Sequence, residues 1–157
     1  MSTATFQPVP MFAIPPQSAH TPRSDEGCVI FVKLWQFDPS DRTHVNKRID
    51  QLETIQLSAG VSKKELHRDD YEEVFVVEIA PSAKLELKAC GEVEMLGLEG
   101  QLNEGNDRLR KHSWGRWPSG CAIDALAGPD GAKVWIKTGH LDFVHAQAER
   151  LPAAITG

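Results

Sequence analysis

An all-β fold, of the sandwich, jelly-roll or small-barrel kind, is predicted by three observations. Apolar and polar residues alternate with period two: Leu85, Leu87 and Ala89 against Glu86, Lys88 and Cys90, the pattern of a strand with one buried face. Short runs are rich in β-branched and aromatic residues, and turn-forming clusters fall between them. Along the chain, CVIFVKLWQF (Cys28 to Phe37) reads as a strand closed by the turn DPSD at Asp38 to Asp41. EEVFVVEIA (Glu72 to Ala80) is the next strong strand, ending in APSA (Ala80 to Ala83), and the alternating strand of Leu85 follows. NEGND (Asn103 to Asp107) joins QL to RLR as a hairpin loop. AGPDG (Ala127 to Gly131) reads as a turn before the strand AKVWIK (Ala132 to Lys137). Only Asp142 to Leu151 has helical composition, and Pro152 stops it.

The chain has 157 residues, 41% hydrophobic and 25% charged, with a net charge of −5. That is one domain's worth of chain with enough apolar residues for a core. The longest apolar run, Cys28 to Val32, ends at Lys33, far short of the ~18–20 residues a membrane helix needs. Met1 to Val9 carries no positive charge and no continuous apolar stretch follows, so no secretory leader is expected and a cytoplasmic location is. Cys28, Cys90 and Cys121 are widely spaced with no CxxC pair. They read as buried reduced thiols, not as a disulfide framework or zinc ribbon. Basic residues are scattered over an acidic chain, so nucleic acid is not an expected partner.

An internal repeat is the most informative feature. Gly27 to Phe37 resembles Gly131 to Leu141, aligning Gly27 with Gly131, Phe31 with Trp135 and Lys33 with Lys137. Upstream, Phe12 to His20 lies over Gly115 to Ile123, pairing Pro15 with Pro118 and Ala19 with Ala122. The repeat implies a unit of roughly 100 residues, of which the N-terminal copy keeps only its last part.

Four stretches carry a family resemblance: PPQSAHTPRSDEGCVIFVKLWQF (Pro15 to Phe37), LHRDDYEEVFVVEIAPSA (Leu66 to Ala83), EMLGLEG (Glu94 to Gly100) and GAKVWIKTGHL (Gly131 to Leu141). They resemble the cupin-like domain of the ChrR anti-sigma factors and related small bacterial cupins of the RmlC-like superfamily. The resemblance implies a cupin double-stranded β-helix, or jelly roll, with an extra N-terminal β segment. Residues 1–43 are then similar to the C-terminal part of a first cupin repeat, 44–145 to a complete barrel, and 146–157 form a tail.

The family's metal site, two histidines and a glutamate with a third histidine opposite, suits zinc, iron, manganese or nickel. The motif alignment places the two histidine positions at Leu87 and Ala89, the glutamate at Glu94 and the third histidine at Ile123. Three of the four are apolar, so a degenerate site and no metal cofactor are expected. Glu94 is then either a leftover ligand or base, or a carboxylate facing solvent or a hydrogen-bond partner at the barrel mouth. His20 takes the third-histidine position of the first copy. It is a metal ligand if another chain completes the site, and otherwise a surface or turn residue.

His67 with Asp69 and Asp70 resembles a carboxylate–imidazole cluster, His44, His112 and His145 read as exposed, and His140 caps a strand or packs at a subunit interface. No GxSxG, GxGxxG or P-loop motif occurs. Trp114 and Trp117 fall on opposite faces of a strand, and with Arg116, an anion contact, and Glu94 they are the ligand-binding candidates. The expected function is a non-catalytic ligand-binding or regulatory module. Its partners would be a small molecule or a regulatory protein, and it would be a homodimer joined through the apolar N-terminal strand. The alternative is a metal-dependent cupin enzyme of dioxygenase or isomerase type, and a third reading is a truncated gene product. The HxxxCxxC motif of the family's zinc-binding anti-sigma domain is absent from the sequence.

Overall fold

The computed structural model describes residues 10–13, 25–33, 44–88 and 91–140. The expectations for His20, Leu34 to Asp41, Ala89, Cys90 and the helical tail with His145 lie outside these residues. Among the described residues ten strands form two antiparallel sheets. A two-stranded ribbon pairs β1 (Pro10–Ala13) with β2 (Val45–Arg48). A single 3-10 turn (Ile49–Gln51) leads from the ribbon into the main sheet. That sheet contains β3 (Ile55–Ser58), β4 (Val61–Arg68), β5 (Glu73–Ile79), β6 (Lys84–Lys88), β7 (Val93–Glu104), β8 (Asp107–Arg110), β9 (Trp114–Trp117) and β10 (Ala122–Thr138). Its strand order is β3-β4-β5-β10-β7-β8, with β6 also on β10 and β9 also on β7. This is an all-β jelly roll.

Two long strands make the roll. The first half of β10 pairs with β6 (Ile123 opposite Leu87), and the second half lies between β5 and β7 (Val134 opposite Val77 and Gly97). The AGPDG segment, read from sequence as a turn, is instead where this one strand bends, with a register shift between Ala127 and Ala132. Proline and glycine interrupt the ladder without ending the strand, because the neighbouring strands resume pairing beyond the bend. Gly100 and Gly131 sit there with φ of +66° and +79°. A Cβ on Gly100 would lie 2.1 Å from the Gly131 carbonyl oxygen, and one on Gly131 would lie 2.6 Å from that of Ile79.

Alternation along each strand splits its residues between two cores. Phe75 and Val77 of β5, Val93 and Met95 of β7, and Val134 and Ile136 of β10 fill the barrel interior. The residues between them face outward, where Val74, Val76 and Leu66 pack with Ile49. Met11 of the ribbon, Leu52, Leu98 and Trp135 close this smaller outer core. The N-terminal ribbon therefore covers one outer face of the barrel, leaving its interior to the main sheet.

The segment Cys28 to Lys33, expected as a strand, belongs to neither sheet. Its apolar side chains are not withdrawn from water: Val29, Ile30 and Val32 are 78%, 59% and 62% exposed. Phe31 is the exception in direction, meeting Trp135 edge to face with ring centroids 5.6 Å apart. Gly27 has φ of +80°, matching Gly131 at the aligned position of the repeat, yet nothing lies within 4 Å of a Cβ placed there.

The two repeat glycines thus separate conformation from crowding. Gly131→Ala should lose about 1–2 kcal/mol for the left-handed backbone and more for the Ile79 contact. Gly27→Ala should lose no more than the first part. Urea midpoints of the two variants check this, and equal losses would show that the approach to Ile79 is not tight.

Candidate functional site

Two of the positions at which the cupin resemblance expects metal ligands lie in the barrel interior. Leu87 and Ile123 are directly opposed in the β6–β10 ladder, and both pack into the interior core. Neither side chain carries a donor atom, and a divalent ion takes nitrogen, oxygen or sulfur ligands. Glu94 does not join them. It lies between the interior residues Val93 and Met95 and so points out of the barrel, on the face of Trp135 and Lys137. No group of three or more His, Cys, Asp or Glu side chains that could hold a metal ion occurs among the described residues. A divalent metal does not fit the side chains present at these positions.

On the outer face, Glu94 is the centre of a buried polar cluster. Register sets three charges in one row across the sheet: Lys137 of β10, Glu94 of β7 and Arg116 of β9. Arg116 Nη2 donates to Glu94 Oε1 at 2.9 Å. The other oxygen, Oε2, faces Lys33 Nζ in close contact and His140 Nε2 at 3.0 Å. Lys33 Nζ is also 3.1 Å from His140 Nε2, so amine, imidazole and carboxylate close a triangle. Glu94 Oε2, His140 Nδ1 and Glu92 Oε2 have no hydrogen-bond partner among the described residues. Beside the triangle, Lys137 Nζ pairs with Glu72 Oε2 at 2.6 Å. Glu94 is 1% exposed, and a carboxylate so deeply buried would cost several kcal/mol without these cations.

Burial decides the titration of the bases. It pushes the Lys33 ammonium down to about 7, aided by the charges of Lys137 and Arg116 and opposed by Glu72. Burial holds the His140 imidazole down to about 3, with Lys33 and Lys137 acting in the same direction. Lys137 is lowered by burial against the opposing pull of Glu72. At neutral pH His140 is therefore an uncharged imidazole, able to accept from one neighbour only.

The remaining sequence candidates separate. Trp117 turns inward against the interior core, its indole N–H donating to Glu104 Oε2 at 3.3 Å. Trp114 is half exposed on the outer face, with the Arg116 guanidinium 5.4 Å from its ring centre. The opposite facing expected of the two tryptophans is what β9 shows. Gly115 makes room between them, since a Cβ there would meet the Trp117 ring at 2.7 Å. His67 Nε2 lies 3.2 Å from Asp69 Oδ2, but Asp69 Oδ1 is taken by the backbone N–H groups of Tyr71 and Glu72. Burial works to raise the Asp69 carboxyl, and these N–H groups with His67 hold it below its usual value. Asp69 is thus a turn-forming carboxylate.

Sequence reasoning did not assign Lys33, Lys137, Glu72 and His140 to a shared site. The signal was present in the repeat: Phe31 and Lys33 align with Trp135 and Lys137, and both pairs converge on the Glu94 face. Outside that cluster, a shallow groove of about 590 Å³ runs past Gly60, Glu78, Gly100, Asp130 and Lys133, where Lys133 pairs with Glu78 at 3.2 Å.

No family model matches the chain, and no curated protein matches it. Solved structures do. A chain of the Rhodobacter sphaeroides complex of SigE with the anti-sigma ChrR matches 58% of this chain at 15% identity and a TM-score of 0.53. The match spans half of that longer chain. An RmlC-like cupin from Shewanella frigidimarina matches 58% of this chain and 86% of its own, at 14% identity and a TM-score of 0.51. A candidate acetylacetone dioxygenase from Methylibium petroleiphilum matches 57% and 72%, at 14% identity and a TM-score of 0.51. Identities this low speak to the fold alone. No helix among the described residues is long and apolar enough to cross a membrane.

The neutral state of His140 has a consequence for pH. Above about 6.5 neither folded nor unfolded chain holds a proton there. As pH falls toward 3 the unfolded chain binds one and the folded chain does not, so stability falls by at most about 1.4 kcal/mol per pH unit. Unfolding free energies of wild type should therefore decline more steeply between pH 6.5 and 4 than those of His140→Asn. Parallel slopes would show that His140 is not held neutral.

Proposed function

From a chain with the cupin fold of the ChrR and RmlC-like structures, we propose a non-catalytic binding or regulatory module. Its recognition surface is the outer face around Arg116 and Trp114, and the metal site of its barrel is degenerate. The observation that supports this is the pairing of Leu87 with Ile123 inside the barrel, where hydrocarbon meets hydrocarbon at two positions of a cupin metal site. Arg116 is half exposed and stacked on Trp114, an arrangement that favours a planar or carboxylate-bearing ligand. The anti-sigma ChrR is in complex with SigE in the matched structure, and a regulatory protein partner is the corresponding reading here. The free thiols of Cys28 and Cys121 suit a reducing compartment such as the cytoplasm.

The competing reading is a metal-dependent dioxygenase or isomerase, for which the fold neighbour described as a candidate acetylacetone dioxygenase speaks. Dialysis of the purified protein against zinc, iron, manganese or nickel, followed by metal analysis, separates the two. The proposal expects well under one ion per chain. Stoichiometric metal that His20→Ala abolishes would sink it and favour the enzyme.

A homodimer is part of the same reading, joined through the outward side chains of Val29, Ile30 and Val32. Light scattering at micromolar concentration should give twice the chain mass, and Ile30→Asp with Val32→Asp should return it to one. A wild-type monomer rules the dimer out.

A further inference from the structure

Over the whole chain basic residues are scattered, but no aspartate or glutamate falls between Asp107 and Asp124, a stretch that holds Arg108, Arg110, Lys111 and Arg116. Four cations thus stand together in a chain whose net charge is −5. The fold sets them along one strand. On β7, Arg116 lies opposite Glu94 and Trp114 opposite Leu96. Further on, Arg110 lies opposite Gln101 and Arg108 opposite Asn103. Leu109 and Trp117 pack into the interior core, so the residues alternating with them, Arg108, Arg110, Trp114 and Arg116, face outward. All four are exposed, as is Lys111 in the turn between β8 and β9.

That turn is fastened to the strand it crosses. The His112 N–H donates to the Gly97 carbonyl at 2.7 Å, and the Gly97 N–H donates to that of Ser113 at 2.8 Å. Ser113 closes the turn on itself, its N–H on the Arg110 carbonyl and its Oγ accepting from the Arg110 N–H at 3.1 Å. A Cβ on Gly97 would stand 2.0 Å from the Arg110 carbonyl oxygen. Charge pairing stops here. Elsewhere on the sheet Lys63, Lys64, Arg68, Lys84 and Lys133 each lie against a carboxylate. Among the described residues no carboxylate pairs with Arg108, Arg110 or Lys111, and the side-chain partner of Arg110 is the Gln101 amide oxygen at 3.3 Å. Arg116 gives Nη2 to Glu94 and is otherwise half exposed beside the Trp114 ring.

We propose that Arg108, Arg110, Lys111, Arg116 and Trp114 form one docking surface for an acidic segment of a partner protein. The inference rests on the Arg116–Trp114 face being the recognition surface, and it names what that surface takes. Carboxylates satisfy unpaired guanidinium and ammonium groups by charge-assisted hydrogen bonds, and the exposed indole adds apolar area at the Arg116 end. The fastened turn holds its backbone in place before the partner arrives, so less ordering is needed on this side. The surface is also short. It ends where Asp107 lies opposite Glu104, and a long polyanion such as a nucleic acid would run on to those carboxylates. A segment of a few Asp or Glu residues fits within it.

Fluorescence anisotropy with a labelled peptide of about ten glutamates, and with an oligothymidylate of matched charge, tests the surface. Wild type should bind the peptide at about 0.02 M salt and lose about tenfold or more in affinity at about 0.15 M, where charges are screened beyond about 8 Å. Arg108→Ala with Lys111→Ala should bind about tenfold or more weakly, at an unchanged unfolding midpoint because both side chains are exposed. Arg116→Ala with Trp114→Ala should weaken binding as well, and the first variant carries the test alone if this one does not fold. The oligothymidylate should bind more weakly than the peptide. A wild type that does not bind the peptide, or binds oligothymidylate as tightly, overturns the acidic partner. Binding that needs Arg116 and Trp114 but not Arg108 and Lys111 overturns the extended surface and leaves the recognition face standing. Binding that needs only Arg108 and Lys111 overturns both.

Discussion

The strand β10 is the element on which both cores rest. Its second half is hydrogen-bonded on both sides, to β5 and to β7, and its first half returns to pair with β6. Because side chains alternate, one strand supplies Val134 and Ile136 to the interior and Trp135 and Lys137 to the outer face. A slip of one residue would exchange these two sets and put the lysine where the isoleucine belongs. The bend at Gly100 and Gly131 lets the strand pass from pairing with β6 to pairing with β5 without that slip. Register at β10 is thus what makes the interior dry and the outer face charged.

That division governs how the carboxylate at Glu94 behaves. A single acidic residue in an apolar strand is costly wherever it faces hydrocarbon. Here the row from Lys137 to Arg116 surrounds it with positive charge drawn from neighbouring strands, and Lys33 and His140 add groups distant in sequence. The cluster holds bases, Lys33, Lys137 and His140, whose proton affinity burial lowers. The barrel interior, by contrast, contains little that titrates. Among the described residues the buried charged groups gather on the outside wall of the roll.

How much of this could be read from the sequence follows the range of the interactions. The strand around Leu85, the hairpin at Gly105 and the opposite facing of Trp114 and Trp117 depend on neighbours a few residues away, and periodicity revealed them. The AGPDG bend misled, because its turn residues cannot say whether the flanking strands will continue to pair. Cys28 to Lys33 misled in another way. Its β-branched residues are suited to a strand, but a strand needs a partner edge, and none of the described residues offers one to it. The Glu94 cluster unites positions 33, 72, 94, 116, 137 and 140, and only the repeat linked any of them. Placing Glu94 by motif alone gave no indication of its face, since a step of one residue separates the interior from the outer wall.

Exposure of Val29 to Val32 also bears on how the molecule behaves in a crowd of its own kind. A short uncharged run of β-branched and aromatic residues, free of proline and outside both sheets, is the composition from which cross-β contacts grow. Asp25 and Glu26 stand at one end of it and Lys33 at the other, the flanking charges that keep such runs from stacking. The lysine that seats against Glu94 on the outer wall is also one of these guards. Colloidal stability and seating are therefore drawn from the same side chain, and it is spent on the second whenever the amine is buried.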